Sequence, residues 1–544
     1  MTSTLIKNGY IVDGTGNPWY KSDVLIEDGK IRLIKPEIKE KANRIIDAKG
    51  LIVSPGFIDI HSHSDMTIMM GNGENVLTPG VTTHVIGNCG FSLTPINLKK
   101  ADETDIISQL GDMFGSKEYK LNKQNEKLDK YLDNLQEIGI SVNAVPLTGH
   151  SIIRFDLLGL QNRPPTDSEL NEMKKLLDTE MKLGSFGLSS GLDYPPGSFA
   201  KTEELIELCK VVTKYNGLYA THFRGLFGGL RGATKEAIKI GETAGCRVQI
   251  SHFKPFGFWR GDIRKACKLV DEARLRGVDV TFDAFPQASN QTFLFGILPP
   301  WIYYSKEGLD VDGAISKLKD AKTNKILKKQ LFTEMDSLVN SFLKIKKKED
   351  WYKVIISTPR DPVYNGKSAL KIAQEHNIEP EEAVVDVLIK HGGNASGIYL
   401  SMTEEDNRVT IVHPAGMYAS DGKIIPVEDG EIKIFPNPYC FGTFTRVLGK
   451  YVREERLLTL PEAIRKMTSF PAQKLGLKDR GLLREGFWAD ITIFDKDQVV
   501  DKATYEDSTQ YSEGVVYVLI NGVPALEKGK FTYSKSGVPI RRVN

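Results

Sequence analysis

Among nine histidines in 544 residues, two stand two positions apart at the end of one apolar run, Pro55-Gly56-Phe57-Ile58-Asp59-Ile60-His61-Ser62-His63. A run of this kind after a Pro-Gly break reads as a strand, and residues i and i+2 of a strand face the same side. His61 and His63 therefore aim two neutral ring nitrogens at one place, which is what a divalent transition metal requires. Cys89, His222, His252 and Asp421 each close a further apolar, strand-like run. A thiolate, imidazoles and a carboxylate gathered together make a zinc-competent donor set. Such a set does catalysis when one position stays open for water. His84 and His150, each isolated, read as structural residues.

Side chains so far apart in sequence meet only if regular elements carry them to one face. From residue 57 to 479, strand-like runs alternate with helix-like ones, the pattern of a parallel sheet with crossover helices. One repeat is explicit: Thr202 offers an N-cap, Leu205, Ile206, Cys209 and Val212 form an apolar stripe, and Gly217 stops the helix before Leu218 to His222. Eight candidate strands end near His63, Cys89, His150, Ser190, His222, His252, Asp283 and Asp421. Eight closes a (β/α)8 barrel, whose active face lies at the carboxyl ends of the strands. The expected fold is α/β, a TIM-like barrel over 57–479. A small β-sandwich built from both termini, 1–56 and 480–544, completes it, because each end shows short strands with turns such as Asp28-Gly29. Residues 287 to about 352 interrupt the barrel after its seventh strand and read as a lid.

Composition narrows the function. Lys and Arg number 72 against 70 Asp and Glu, a net charge of +2 that provides no field for nucleic acid or an anionic membrane. The five cysteines are odd in number and scattered, against a disulfide framework, with Cys209 and Cys267 on apolar helix faces. No basic segment followed by a long apolar run opens the chain, and no stretch approaches about 18 apolar residues, so a cytoplasmic location is expected.

The runs PGFIDIHSHSD, GVTTHVIGNCG, THFRG, ISHFK, YASDG, GTFTRVLGKYVRE and GLLREGFWADITIFD, in this order, resemble the amidohydrolase superfamily. Within it the likeness is to the N-acyl-D-amino-acid deacylases, or D-aminoacylases, and it covers nearly the whole chain. Cys89 is its sharpest marker, since many amidohydrolases place a carboxylated lysine where this branch has a cysteine. The resemblance implies that Cys89, His222 and His252 hold one tightly bound Zn2+, and that His61, His63 and Asp421 form a second, weaker divalent position. It further implies hydrolysis of a non-peptide C–N bond, a metal-activated water attacking an amide carbonyl with Asp421 as general base and then acid.

Departures from that pattern bear on substrate. Where D-aminoacylases read His-Pro-Arg before GTF, this chain reads Asn437-Pro438-Tyr439. In the family that arginine clamps the substrate carboxylate, and tyrosine carries no charge to replace it. Lys254 and Arg224, each two residues after a ligand histidine, are the candidate replacements. Tyr194 keeps the family's Tyr-Pro-Pro feature, and Asp283 lies in an altered Asp-x-Tyr-Pro-Tyr run that here places Phe285 and Gln287 at the tyrosine positions. Tyr194, Lys254, Arg224, Tyr439 and Asp283 are thus the expected substrate-binding residues. The alternative reading on the same scaffold is a cyclic-amide hydrolase that opens hydantoin, dihydropyrimidine or lactam rings. Either way the partner is a small-molecule amide, with a homo-oligomer left open.

Overall fold

The computed structural model describes residues 3–96, 126–255, 261–305, 308–358 and 361–543. Its strands fall at the sequence positions expected for a barrel. Phe57–Asp59, Val81–Ile86 and Asn143–Pro146 pair in parallel. Thr148–Gly149, Gly187–Gly191, Leu218–His222, Arg247–Ile250, Val280–Ala284 and Gly416–Tyr418 form a six-stranded parallel sheet in that order. Only Leu147 separates the two sheets, and its N–H donates to the Ile86 carbonyl at 2.9 Å while Phe186 N–H donates to Pro146 O at 2.9 Å. At the other margin Ser62 and Gly422 make an isolated parallel bridge, with His63 N–H donating to Gly422 O at 2.7 Å.

The crossover helices follow from local chemistry. Asp167–Lys182 opens with a capping box, Thr166 and Glu169 satisfying each other's backbone N–H. In Thr202–Lys214 the stripe Leu205, Ile206, Cys209 and Val212 is buried as its spacing requires. Thr202, expected as its cap, is instead the first helical residue, and its hydroxyl donates to Glu236 Oε1 on the next helix at 2.8 Å. A cross-helix carboxylate competes successfully with the local cap.

Strands from the two termini meet edge to edge. Ile52–Pro55 runs antiparallel to Ile491–Phe494, joining both ends into a nine-stranded sheet, eight strands in one hydrogen-bonded path and Arg44–Asp47 branching from Ser3–Ile11. The edge pairing satisfies the backbone of both halves at once and makes one β domain of the two termini, as the sequence led one to expect. Alternation along Tyr20–Glu27 sends Val24 and Ile26 into a core with Ile6, Val53, Ile491 and Leu519, and Leu25 to the opposite face with Leu5 and Ile38.

The insertion is longer than expected. Asn290–Phe293, Ser396–Tyr399 and Val354–Ser357 form an antiparallel sheet, so the chain leaves the barrel near residue 290 and returns near 399 rather than near 352. Its apolar core, including Leu294, Leu331, Met335, Trp351, Ile356, Leu388 and Tyr399, is drawn from this segment alone. The return strand pairs with the departing one, which no local pattern within 287–352 could disclose. Among the described residues, no helix is long and apolar enough to cross a membrane.

Candidate metal centre and active site

The six expected ligands converge. His61 and His63 lie just past the strand Phe57–Asp59, His222 closes Leu218–His222, and His252 follows Arg247–Ile250 by two residues. Cys89 follows Val81–Ile86 and Asp421 follows Gly416–Tyr418, each by three residues. Two ligand groups result, His61, His63, Cys89 and Asp421 in one and Cys89, His222 and His252 in the other, with the ligating atoms of each within 4.8 Å of one another. Cys89 belongs to both. Its sulfur lies 3.3 Å from His61 Nε2, 3.8 Å from His222 Nδ1 and 3.7 Å from His252 Nε2. Asp421 Oδ1 stands 3.2 Å from Nε2 of both His61 and His63.

Three of these residues hold backbone conformations that side chains rarely adopt: Cys89 at φ 52°, His252 at φ 33° and Asp421 at φ 54°. Each conformation is enforced by neighbours. Ser189 Oγ accepts the Gly90 N–H at 3.0 Å and donates to Gly87 O, gripping the turn on either side of Cys89. Gly191 permits the approach, since a Cβ there would sit 2.1 Å from the Cys89 carbonyl oxygen. His252 N–H donates to Asp283 Oδ1 at 2.7 Å, and Asp421 N–H donates to His61 O at 3.0 Å.

Charge in the cluster is balanced internally. Burial opposes ionisation of Cys89, yet the imidazoles of His61 and His63, with hydrogen bonds from His222 and His252, hold its thiol well below the ordinary range. Asp421 is likewise held low, burial being outweighed by His61 and His63. Against burial, which disfavours their charge, Cys89 and Asp421 raise His63 to about 9 and His61 well above its usual value. The cluster therefore sets thiolate and carboxylate against ring protons. A divalent cation answers the same negative charge and displaces those protons, and one sulfur among imidazoles matches the preference of zinc. On these grounds the residues fit a metal ion.

Residues behind the ligands went unrecognised in the sequence. Asp59 Oδ1 accepts the Ser420 N–H at 3.0 Å and the His61 N–H at 3.3 Å, tying the His61 segment to the Asp421 loop. Asp193 Oδ2 lies 3.3 Å from His222 Nε2. A carboxylate two residues before the His-x-His pair was a signal for Asp59, whereas Asp193 carried none. His84 and His150 are structural as expected: His84 Nδ1 meets Ser64 Oγ at 2.9 Å, with burial pushing its pKa down to about 3, and His150 Nε2 meets Glu204 Oε1 at 2.8 Å.

The expected substrate-binding residues separate into two sets. Tyr194 packs its ring 4.5 Å from that of His222 and bonds Thr292 Oγ1 at 3.2 Å, joining the barrel face to the first strand of the insertion. Tyr439 is buried 5.0 Å from Phe285. Lys254 lies 3.8 Å over the Phe285 ring and donates to Gln287 O at 2.6 Å, and burial holds its ammonium well below the usual lysine range. Asp283 and Arg224 instead serve the protein. Asp283 is buried beneath the cluster, accepting from His252 N–H and from Gln249 Nε2 at 2.8 Å. Arg224 donates to the carbonyls of Ser198 at 2.7 Å and Ala200 at 2.8 Å. Both are engaged by protein groups in this structure, Asp283 buried and Arg224 half-buried.

Comparison with known proteins relates the whole chain to one family. The chain matches the amidohydrolase family over residues 44–239 and 432–525. It is 30% identical to a D-aminoacylase of Alcaligenes xylosoxydans xylosoxydans, over 99% of this chain and 97% of that protein. The crystal structure of N-acyl-D-glutamate deacylase from Bordetella bronchiseptica, complexed with zinc and a phosphonate that mimics the tetrahedral intermediate, superposes with a TM-score of 0.79 at 29% identity, covering 99% of each chain. A solved D-aminoacylase, studied for one-metal activation and second-metal attenuation at its binuclear centre, gives 0.80 at 29% identity with the same coverage of both chains.

Proposed function

The chain belongs to the amidohydrolase family, and on that premise we propose that it is an N-acyl-D-amino-acid deacylase with Asp421 as its proton-transfer group. It is a metal-dependent hydrolase of non-peptide amide bonds. The observation that carries the finer reading is Cys89, whose sulfur both ligand groups share. Cys89, His222 and His252 would hold a tightly bound zinc, and His61, His63 and Asp421 a weaker second ion. When bound, the metal supplies Lewis acidity, acidifying water and polarising the amide carbonyl.

The protein's own groups supply the rest. Asp421, kept ionised by His61 and His63, accepts the proton of the attacking water and returns it to the departing nitrogen. Tyr194, whose burial and proximity to Cys89 keep the phenol protonated, donates a hydrogen bond at the substrate wall. Lys254, whose ammonium burial disfavours, would meet a substrate carboxylate where Tyr439 carries no charge, the bound anion itself offsetting that burial and holding the proton on Nζ. The Ser62–Gly422 bridge and the single-residue gap at Leu147 support a closed eight-stranded barrel, which would bring every ligand to its carboxyl face.

Elemental analysis of purified protein, beside hydrolysis of paired D and L N-acyl amino acids and a cyclic-amide panel, tests the reading. Bound zinc with amine released from D substrates is expected. Zinc with activity on rings alone would move the chain to cyclic amides, and protein that no divalent metal reconstitutes would overturn the assignment.

A further inference from the structure

At His61, His63 and His252, Nδ1 makes no hydrogen bond to a described residue, although His61 Nδ1 stands 3.5 Å from Asp283 Oδ1. His222 differs. Its Nδ1 faces the Cys89 sulfur, and its Nε2 lies 3.3 Å from Asp193 Oδ2. We propose that Asp193 is a positioning residue that fixes the tautomer and ring plane of His222, so that Nδ1 presents its lone pair to the metal. The inference rests on the metal-site reading above.

Three contacts make Asp193 suited to this. Its side chain is buried, and the same Oδ2 accepts the Gly225 N–H at 3.2 Å, where the helix Gly225–Ala244 begins with unsatisfied donors. In the opposite direction, Arg224 holds the carbonyls of Ser198 and Ala200 on the loop that carries Asp193. Loop 192–200 and the turn after His222 thus clamp each other, leaving the carboxylate little freedom to leave the imidazole. With the proton on Nε2 and donated to Asp193, Nδ1 is the free ligand atom, and a carboxylate partner increases its basicity. Tyr194 is the next residue, its ring against that of His222, so one short segment sets both a metal ligand and the substrate wall.

The test uses full-length protein reconstituted with zinc and, separately, with cobalt(II), whose absorption reports ligand geometry around a thiolate. Asp193→Ala is expected to lose its ion to a chelator about tenfold to a hundredfold faster than wild type, with an altered cobalt spectrum. Asp193→Asn keeps an acceptor oxygen without the charge and should fall between the two, a graded rescue that simple unfolding does not produce. If Asp193→Ala fails to fold, Asp193→Asn alone decides: faster metal loss supports the assignment, and wild-type retention with a wild-type spectrum overturns it. A wild type that holds no divalent ion would instead overturn the metal reading itself, so the two failures are distinguishable.

Discussion

The mouth of the barrel and the inserted segment 290–399 are built from the same chain by opposite rules. In the insertion, local preference and tertiary packing agree: Asn324 caps the helix Lys325–Leu343 through the N–H groups of Ile326 and Leu327, and Leu331, Met335, Val339 and Leu343 repeat at helical spacing into one apolar core. At the barrel mouth they conflict. Three of the candidate ligands sit in left-handed backbone, at a cost of about 1–2 kcal/mol each, and ionisable groups crowd where apolar ones would pack best. Strain and buried charge persist there because the surrounding hydrogen bonds over-determine them. The insertion packs a core of its own; the mouth gathers the metal-competent side chains.

Substitutions can break or sharpen that contrast. Removing the sulfur that both ligand groups share, Cys89→Ala, should have the largest effect, abolishing metal retention and turnover together. Stoichiometric metal in that variant would show that Cys89 is dispensable. Asp421→Asn should leave tightly bound metal in place while lowering kcat by about 10²- to 10⁴-fold, the range of a positioned proton-transfer group. Near-normal kcat would take Asp421 out of that role. In the insertion the expected pattern reverses. Trp351→Ala, at a fully buried position, should cost about 3–5 kcal/mol of stability, read as a lowered Tm, with metal content unchanged. Loss of metal on that substitution would mean that the insertion holds the cluster together. Smallest is Lys344→Gly at the left-handed end of Lys325–Leu343, φ 55°. Glycine there should relieve strain and stabilise by about 0.5 kcal/mol without touching kcat, checked by calorimetry. At Cys89 no such relief is available, because the strained residue is itself a proposed ligand.

Much of this was legible beforehand because the signals are local. A strand's two-residue period put His61 and His63 together, and apolar runs ending in Cys, His or Asp marked the other four residues of the cluster. The strand ends near His150, Ser190 and Asp283 were equally readable. The extent of the insertion was not, since it depends on Ser396–Tyr399 pairing with Asn290–Phe293 across more than a hundred residues. Arg224 looked available in sequence because a cation after a ligand histidine says nothing about which carbonyls will surround it.

By itself, then, the sequence determined which atoms can bind metal, the order of strands that carries them and the absence of charge at Tyr439. Residue type and short-range periodicity encode such properties directly. Tertiary structure alone decided that Cys89 serves both ligand groups, that Asp283 and Arg224 turn inward to hold the frame, and that Asp193 stands behind His222. Those pairings are contacts between segments distant in the chain. Distances of about 3 Å between such segments are set only when the whole core packs, because hydrogen bonding falls away within fractions of an ångström and no local propensity reaches that far.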